Sequence, residues 1–499
     1  MQILSIKAGF GVCLFLCLVA SDASASKGNS VQDAADETQW VFTNSAARAY
    51  QGIFDLDLAG VHRLLPDPQT PDEVYVVSLA ESIELLLEED GSKFTDYEEH
   101  FEARRDRKTK GKSPAEIFLQ AEMSVQWAFV YFKFGHEFDA ALNLRDAYTI
   151  ISQARKRYPR YEAFKKTAAL LEVVVGSVPE KYNWVLALMG INGSVDAGLA
   201  LFDDIGHSAS PLKQESTFMH ALVRCYVLQQ TAEASALFDI LLKEQPSPIA
   251  SFLAASVAIK NSDNEKARDL LLTLDSLKTY RIDYASYLLG EVYLCKADYL
   301  KSIAAYRKFL NHYKGENNIK DAHYKIGLCY WLAGNANDAR ENFSVARDVG
   351  REVTEADKYA ARSLAEDELP QPNLTQARYY TDGGYYNDAA RILDNIPPSA
   401  LKSLRDEVEY HYRKARLAHK TYKLGEAVTS YSKVIDINGN GTWYYAPNAC
   451  LQIGYIRMYQ KLDEEAEEYF EMALSYKKHE YKNSIDTKAR SALAQLKRK

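Results

Sequence analysis

Two histidines and one lysine-rich segment are spaced in ways that could support chemistry. His411 and His419 are eight residues apart on similar sides of one predicted helix, which separates them by about 12 Å along the axis, too far to share a metal ion. The segment "KGKS" at 110–113 is similar to the end of a phosphate-binding loop. That loop requires a glycine five residues before Gly111, and Asp106 stands there. We therefore predict neither a metal site nor a phosphate loop.

Carboxylates and thiols give no catalytic pattern either. Acidic pairs such as Glu464-Glu465 fall on polar faces of predicted helices, where solvated charge is the expected role. Four cysteines beyond residue 25 are far apart, and each lies within an apolar helical pattern, which predicts small buried hydrophobic residues rather than a disulfide framework: Cys225, Cys295, Cys329 and Cys450. We predict no catalytic, cofactor-binding or metal-binding residue, no cofactor and no enzymatic activity.

A recurring spacing of small and aromatic residues indicates what the chain builds instead. A small residue is followed by an alanine twelve positions later, an aromatic four after that, and another alanine three further on. Two copies stand 127 positions apart: Gly327, Ala339, Phe343, Ala346 and Gly454, Ala466, Phe470, Ala473. Weaker copies occur between them and upstream. Small residues at these positions let two helices of about a dozen residues cross closely, at the usual 8–10 Å between axes.

This spacing resembles that of the tetratricopeptide repeat, whose unit has 34 residues. The match is strong between Glu215 and Val353 and from Val408 to about His479. The segments at 121–148, 176–202 and 444–473 are also similar to secreted bacterial tetratricopeptide proteins. Those proteins are distantly similar to the family of the mitochondrial outer-membrane inclusion-body clearance protein and tetratricopeptide repeat protein 39. The resemblance implies an all-α, right-handed solenoid of antiparallel helix pairs, and it supplies no catalytic residue.

The inner helices of such a solenoid line a concave groove, where a ligand is expected to bind. Positions two, five, nine, twelve and thirteen of each unit are predicted to face it. Aromatic and arginine side chains dominate binding hot spots, and the alternative is that these aromatics pack between units. The candidate groove residues are Tyr284, Tyr287, Tyr324, Leu328, Trp331, Tyr412, Arg416, Tyr455 and Tyr459. The clamp for a terminal carboxylate found in related chaperone-binding domains is absent from the units between 215 and 353.

The chain divides into five predicted parts. Residues 1–25 read as a signal peptide, with Lys7, the apolar run Ala8–Ala20 and an Ala-x-Ala cleavage pattern ending at Ala25; an uncleaved N-terminal anchor is the alternative. Residues 26–38 are polar and predicted to be disordered. A region of degenerate repeats at 39–212, a repeat array at 215–365 and a second array with a capping helix at 370–499 follow. No further segment is long and apolar enough to span a membrane.

Composition sets the last limits on function. The 499 residues carry a formal charge of −8, and an acidic chain gains little affinity from nucleic acid phosphates, so we predict no nucleic acid partner. We predict an exported scaffold or adaptor, periplasmic or extracellular, that binds a protein or peptide of unknown identity in the groove. A self-assembling structural protein of the envelope is the alternative, and an enzyme or small-molecule-binding protein is a third. The oligomeric state is left open.

Overall fold

The computed structural model describes residues 39–108, 113–178, 191–277, 280–366, 369–439 and 441–496. The predicted signal peptide and the segment 26–38 lie outside the described residues, as do residues 109–112 of the basic run. The predictions made for those segments therefore stay predictions.

Helices account for almost all regular structure in the described ranges. In chain order they are α1 (Asn44–Phe54), α2 (Leu58–Leu64), α3 (Pro71–Glu88), α4 (Gly91–Lys108), α5 (Pro114–Lys133), α6 (Glu137–Arg157), α7 (Phe164–Gly176), α8 (Val195–His207), α9 (Lys213–Leu222, continued by a π-turn to Val227), α10 (Thr231–Glu244), α11 (Pro248–Lys260), α12 (Asn264–Asp275), α13 (Asp283–Cys295), α14 (Tyr299–His312), α15 (Ile319–Leu332), α16 (Ala336–Asp348), α17 (Glu355–Ala365), α18 (Pro372–Gly383), α19 (Tyr386–Asp394), α20 (Leu404–Lys420), α21 (Leu424–Ile437), α22 (Tyr445–Tyr459), α23 (Asp463–Ser475) and α24 (Lys482–Leu496).

These helices form nine antiparallel pairs, each packed against the next: α5/α6, α7/α8, α9/α10, α11/α12, α13/α14, α15/α16, α18/α19, α20/α21 and α22/α23. Helix α24 packs on the last pair, as an end cap should, because each unit of a solenoid is buried only by its neighbours. The predicted all-α repeat solenoid is confirmed. The predicted division at 212–215 and 365–370 stays a prediction.

The small residues of the repeat allow the close crossing of each pair. A Cβ atom on Gly327 would lie 2.7 Å from the Phe343 ring, and one on Gly454 would lie 2.5 Å from the Phe470 ring. These distances are too short for a side chain at either position. In each pair, the aromatic ring of the second helix packs directly on the glycine of the first. The corresponding alanine, Ala466 in the last pair, is fully buried.

We expect Ala466→Leu to lower the free energy of unfolding by about 1–3 kcal/mol, because extra methylenes force a well-packed contact apart. Ala339→Leu should behave in the same way at the equivalent position. Urea denaturation followed by circular dichroism measures the change. Ala333→Leu, at an exposed position of the α15–α16 turn, is the control and should be near neutral. Equal stability of all three variants would show that the register of the repeat is wrong.

The turns inside the pairs share one backbone conformation. In eight of the nine pairs, one turn residue has a φ between 58° and 86°, in the left-handed region: Gly135, Gln229, Ser262, Ala297, Gly334, Gly384, Tyr422 and Lys461. The ninth connection, between α7 and α8, passes through residues outside the described ranges. Glycine adopts this conformation without steric cost, whereas the other five types accept strain there. The shared turn gives successive pairs the same crossing geometry.

The N-terminal helices α1 and α3 lie in the concave groove of the solenoid. Helix α3 packs on α5 and α13, and α1 packs on α11. Between these points, the Tyr75 hydroxyl of α3 contacts Lys166 of α7, and the Tyr50 hydroxyl of α1 contacts Glu215 of α9. The first helices of five successive pairs therefore contact α1 or α3. The chain covers much of its own groove.

Candidate binding surfaces

The groove predicted around α13 and α15 is largely closed. Five of the nine candidate residues are buried, and the expectation that they line an open surface is wrong: Tyr284, Tyr287, Tyr324, Leu328 and Tyr412. Tyr412 of α20 is covered by the rings of Tyr444 and Tyr445. For the four residues of α13 and α15, the reason is long-range packing. Helix α3 covers α13 from one side, and α18 packs on α13 and α15 from the other. Whether the remaining candidates bind a ligand stays a proposal.

Tyr287 belongs to a buried polar cluster rather than to a binding surface. Its hydroxyl donates to Oδ2 of Asp321 at 2.5 Å, and Nζ of Lys325 lies 2.8 Å from the same oxygen. Lys325 also pairs with Glu291, which accepts a further hydrogen bond from the Tyr306 hydroxyl. Although burial lowers the pKa of Lys325, the two carboxylates raise it above its ordinary value. The lysine therefore stays charged and ties α13 to α15.

A second cluster of the same composition joins the N-terminal helices to the solenoid. Nζ of Lys166 lies 2.5 Å from Glu122, 2.7 Å from Glu215 and 2.9 Å from the Tyr75 hydroxyl. The Tyr75 and Tyr50 hydroxyls donate to the other oxygen of Glu215, at 2.5 and 2.9 Å. Burial raises the pKa of Glu122, with Glu215 adding to the effect. We assign this cluster a structural role, because the Lys166 side chain has no exposed surface.

Trp331 and Tyr324 are held by the segment that follows the α15/α16 pair. The indole Nε1 of Trp331 donates to the carbonyl of Pro370 at 3.0 Å, just before α18. The Tyr324 ring packs on Phe343 at 5.5 Å and on Tyr359 of α17 at 6.1 Å between centroids. Trp331 remains half-buried, but the single polar group of its side chain already donates to the protein backbone.

A polar clasp fixes the end of α3 to the α14–α15 connection. Asp90 accepts from Nζ of Lys314 at 2.9 Å and from Ser92 at 2.6 Å, and Glu89 accepts from Nδ2 of Asn317 at 2.5 Å. The hydrogen bonds from Lys314 and Ser92 lower the pKa of Asp90 to about 2. The ionised form of Asp90 is therefore stabilised by the fold.

We expect Asp90→Asn to lower the free energy of unfolding by about 1–2 kcal/mol at pH 7, since one pKa unit corresponds to about 1.4 kcal/mol. The pKa of Asp90 is lower in the folded state than in the unfolded state. Its contribution to the free energy of unfolding is therefore fully present above pH 3.8, the ordinary pKa of an aspartate. It is lost as the pH falls through about 2. Urea denaturation at several pH values measures this. A stability difference from the wild type that persists unchanged at pH 2 would contradict the assignment.

The inner face of the C-terminal pairs keeps polar side chains that are half-buried or exposed. We define the C-terminal inner face as Arg416 of α20 with Asn448, Gln452, Tyr455 and Tyr459 of α22. Three of these are candidate groove residues. Tyr459 is 74% exposed, and Tyr455 is half-buried against Phe470. Tyr412, buried beneath this face, accepts a hydrogen bond from Nδ2 of Asn448 at 3.0 Å.

Sequence analysis missed the two amides of this face. Asn448 and Gln452 are four residues apart, and Nε2 of Gln452 donates to Oδ1 of Asn448 at 3.2 Å. Their helical spacing, continued by Tyr455 and Tyr459, is a readable signal of one polar stripe. The candidate set contains aromatic residues, one arginine and one leucine but no amide, so this stripe falls outside it.

The four cysteines are free thiols, as predicted. Cys225, Cys329 and Cys450 are buried, whereas Cys295 is half-buried. Burial raises the pKa of Cys225 to about 11 and the pKa of Cys450 to about 12. Such thiols are protonated at neutral pH and react slowly, because the thiolate is the nucleophile.

Two features are absent from the described part of the chain. No group of three His, Cys, Asp or Glu side chains there is arranged to hold a metal ion. No helix there combines the length and apolar character that crossing a membrane requires.

No protein family model matches the sequence, and no curated protein matches it. Solved structures do match. The alignment with PilW, a widely conserved type IV pilus biogenesis factor, covers 48% of this chain and 97% of PilW, at 16% identity and a TM-score of 0.34. The alignment with yeast Tom70 covers 91% of this chain and 96% of Tom70, at 12% identity and a TM-score of 0.29. The alignment with human IFIT1, solved as a dimer with PPP-AAAA, covers 85% of this chain and 94% of IFIT1, at 14% identity and a TM-score of 0.31.

The repeated pairs and turns described above decide the architecture. This chain folds as a tetratricopeptide-type solenoid. The finer resemblance to secreted bacterial proteins and to the mitochondrial clearance family stays a prediction.

Proposed function

We propose that this tetratricopeptide-type chain is a non-enzymatic scaffold of the cell envelope that binds a protein or peptide. In this proposal the chain is exported, and its partner is a protein rather than a nucleic acid. The docking surface is the C-terminal inner face, not the central groove around α13 and α15.

One observation carries the choice of surface. The chain's own α1, α3 and α18 cover the inner helices of the central pairs, whereas the C-terminal inner face keeps an accessible stripe of amides and phenols. Tyr and Arg are the residue types that contribute most at protein interfaces, and Asn and Gln can pair with the backbone of an extended peptide. Arg416, Tyr455 and Tyr459 of the predicted set support docking here.

The experiment uses the chain from residue 26 as immobilised bait against an envelope extract of its own organism, with bound proteins identified by mass spectrometry. We expect a specific partner whose capture is lost with Gln452→Ala combined with Tyr459→Ala. Tyr422→Ala is the matched control, because Tyr422 is 83% exposed but lies in the α20–α21 turn. Its capture should equal that of the wild type.

Two results would contradict the proposal. Equal capture by the Gln452/Tyr459 double variant and the wild type would place the docking surface elsewhere. Recovery of only the chain itself, with a concentration-dependent oligomer in light scattering, would favour the self-assembling structural protein instead.

A further inference from the structure

Four cations converge where the C-terminal pairs return to the middle of the solenoid. Lys260 ends α11, Arg416 and Lys420 lie in the last turns of α20, and Lys488 lies on the capping helix α24. Nζ of Lys420 donates to Oγ of Ser262 at 3.1 Å, although the two residues are 158 positions apart. This contact places the end of α20 at the turn that follows α11.

The four charges act on one another. Burial lowers the pKa of Lys488, and the charges of Lys260 and Arg416 lower it further. Burial likewise lowers the pKa of Lys420, with Arg416 and Lys260 adding to the effect. All four side chains are half-buried. The contact between Lys420 and Ser262 brings Lys260, Arg416 and Lys420 to one turn, where partial burial lets water screen their repulsion incompletely.

Few acidic groups offset these charges. Asp382 of α18 is the carboxylate that acts on Lys260, Arg416 and Lys420, and it also faces Arg378 at 3.6 Å. Four cations against one carboxylate leave a local charge of +3 before Arg378 is counted. Within the described ranges, the side chains of Lys260 and Lys488 make no hydrogen bond or ion pair.

Hydroxyl groups border the same place. Ser262 faces Lys420 and also interacts with the Tyr386 hydroxyl, which itself lies in the field of Arg416. The Arg416 guanidinium interacts with the hydroxyl of Tyr431, a fully buried residue. The setting thus offers charged donors from α11, α20 and α24, together with the hydroxyls of Ser262 and Tyr386. Such a set matches an acceptor-only ligand with several oxygens.

Clustered like charges of this kind destabilise a fold unless something compensates them. An extended acidic peptide would spread its carboxylates along the solenoid, whereas these four cations are grouped. We infer that Lys260, Arg416, Lys420 and Lys488 form a binding site for a compact multivalent oxyanion of the phosphate class. This inference goes beyond the proposed docking of a protein, because it requires no protein partner.

The test uses the whole chain from residue 26 and sodium tripolyphosphate as the probe, at about 0.15 M salt. We expect tripolyphosphate to raise the Tm in a concentration-dependent way, because a ligand that binds only the folded state stabilises it. Titration calorimetry should show saturable binding that weakens as the salt concentration rises. Inorganic phosphate, with fewer charges, should bind more weakly.

The variants separate binding from structure. Lys488→Gln and Lys260→Gln should each weaken tripolyphosphate binding by about tenfold, as loss of a charged donor does. Without ligand, both variants should have a Tm equal to or above that of the wild type, since each removes repulsion. Lys477→Gln, at an exposed position outside the cluster, is the matched control and should change neither quantity.

Two arms distinguish the source of the oxyanion. Binding of soluble tripolyphosphate alone indicates a free phosphate compound, whereas additional Lys488-dependent binding to phosphatidylglycerol vesicles indicates a lipid headgroup. The inference is overturned if tripolyphosphate leaves the Tm unchanged, if an oligo-glutamate peptide binds more tightly than tripolyphosphate, or if both lysine variants lower the ligand-free Tm. These outcomes are independent of the bait experiment, which scores Gln452 and Tyr459.

Discussion

Lys166→Met should lower the free energy of unfolding by about 3–5 kcal/mol, the cost of breaking a buried ion pair from one side. Lys166 is the only cation within contact of Glu122 and Glu215 among the described residues. Its removal leaves two carboxylates facing each other in a site without access to water, together with the Tyr50 and Tyr75 hydroxyls. Urea denaturation at pH 7 measures the loss.

The neighbouring residue supplies the control. Lys165 also makes two ion pairs, with Glu162 at 2.9 Å and Asp204 at 2.6 Å, but these lie at the surface. Lys165→Met should cost less than about 1 kcal/mol, because exposed pairs contribute little. If the two methionine variants were equally stable, the Lys166 cluster would not be buried as described.

Phe54→Ala should lower the free energy of unfolding by about 3–5 kcal/mol, the usual cost of truncating a buried phenylalanine. Phe54 is 2% exposed and packs on the rings of Tyr50 at 5.0 Å and Phe218 at 5.6 Å. The contact with Phe218 is one of those that hold α1 in the groove. We expect amide exchange to speed up first in α1, α2 and α3, because a solenoid opens in local units.

Hydrogen exchange followed by mass spectrometry tests this assignment region by region. Exchange in α20 to α24 should match that of the wild type. Val41→Ala is the control: Val41 is 71% exposed and precedes α1, so its truncation should alter neither stability nor exchange. Faster exchange spread evenly over the whole chain would contradict the placement of α1 and α3 as a separate layer within the groove.

The two lysine clusters show why stability and binding are easily confused in this molecule. Tyr287 has the residue type of a binding hot spot, yet its hydroxyl is used within the fold, where it donates to Asp321 beside Lys325. The side chains of Lys260 and Lys488 lack such partners within the described ranges. No sequence pattern around either lysine predicts a binding site. Whether a charged group stabilises the fold or is free to bind a ligand depends on whether it is paired. The pairs join residues far apart in the sequence, so a local pattern does not predict them.

The sequence by itself determined the repeat architecture. Small residues at Gly327 and Gly454, with alanines twelve positions later, predict close helix crossings, because crossing distance depends on residues within one unit. The burial of Cys225, Cys329 and Cys450 could also be predicted from the apolar helical pattern around each of them, whereas Cys295 is only half-buried. These are local properties, decided by residues that lie within one repeat unit of about 34 residues.

Only the tertiary structure decided which surfaces remain open. Whether Tyr284 or Tyr287 faces solvent depends on α3, which lies about two hundred positions earlier in the chain and packs on α13. The grouping of Lys260 with Lys420 depends on the return of the C-terminal pairs to the end of α11. The physical reason is the same in both cases. A solenoid's curvature is the sum of many small rotations between units, and contacts between distant units follow from that sum rather than from any one repeat.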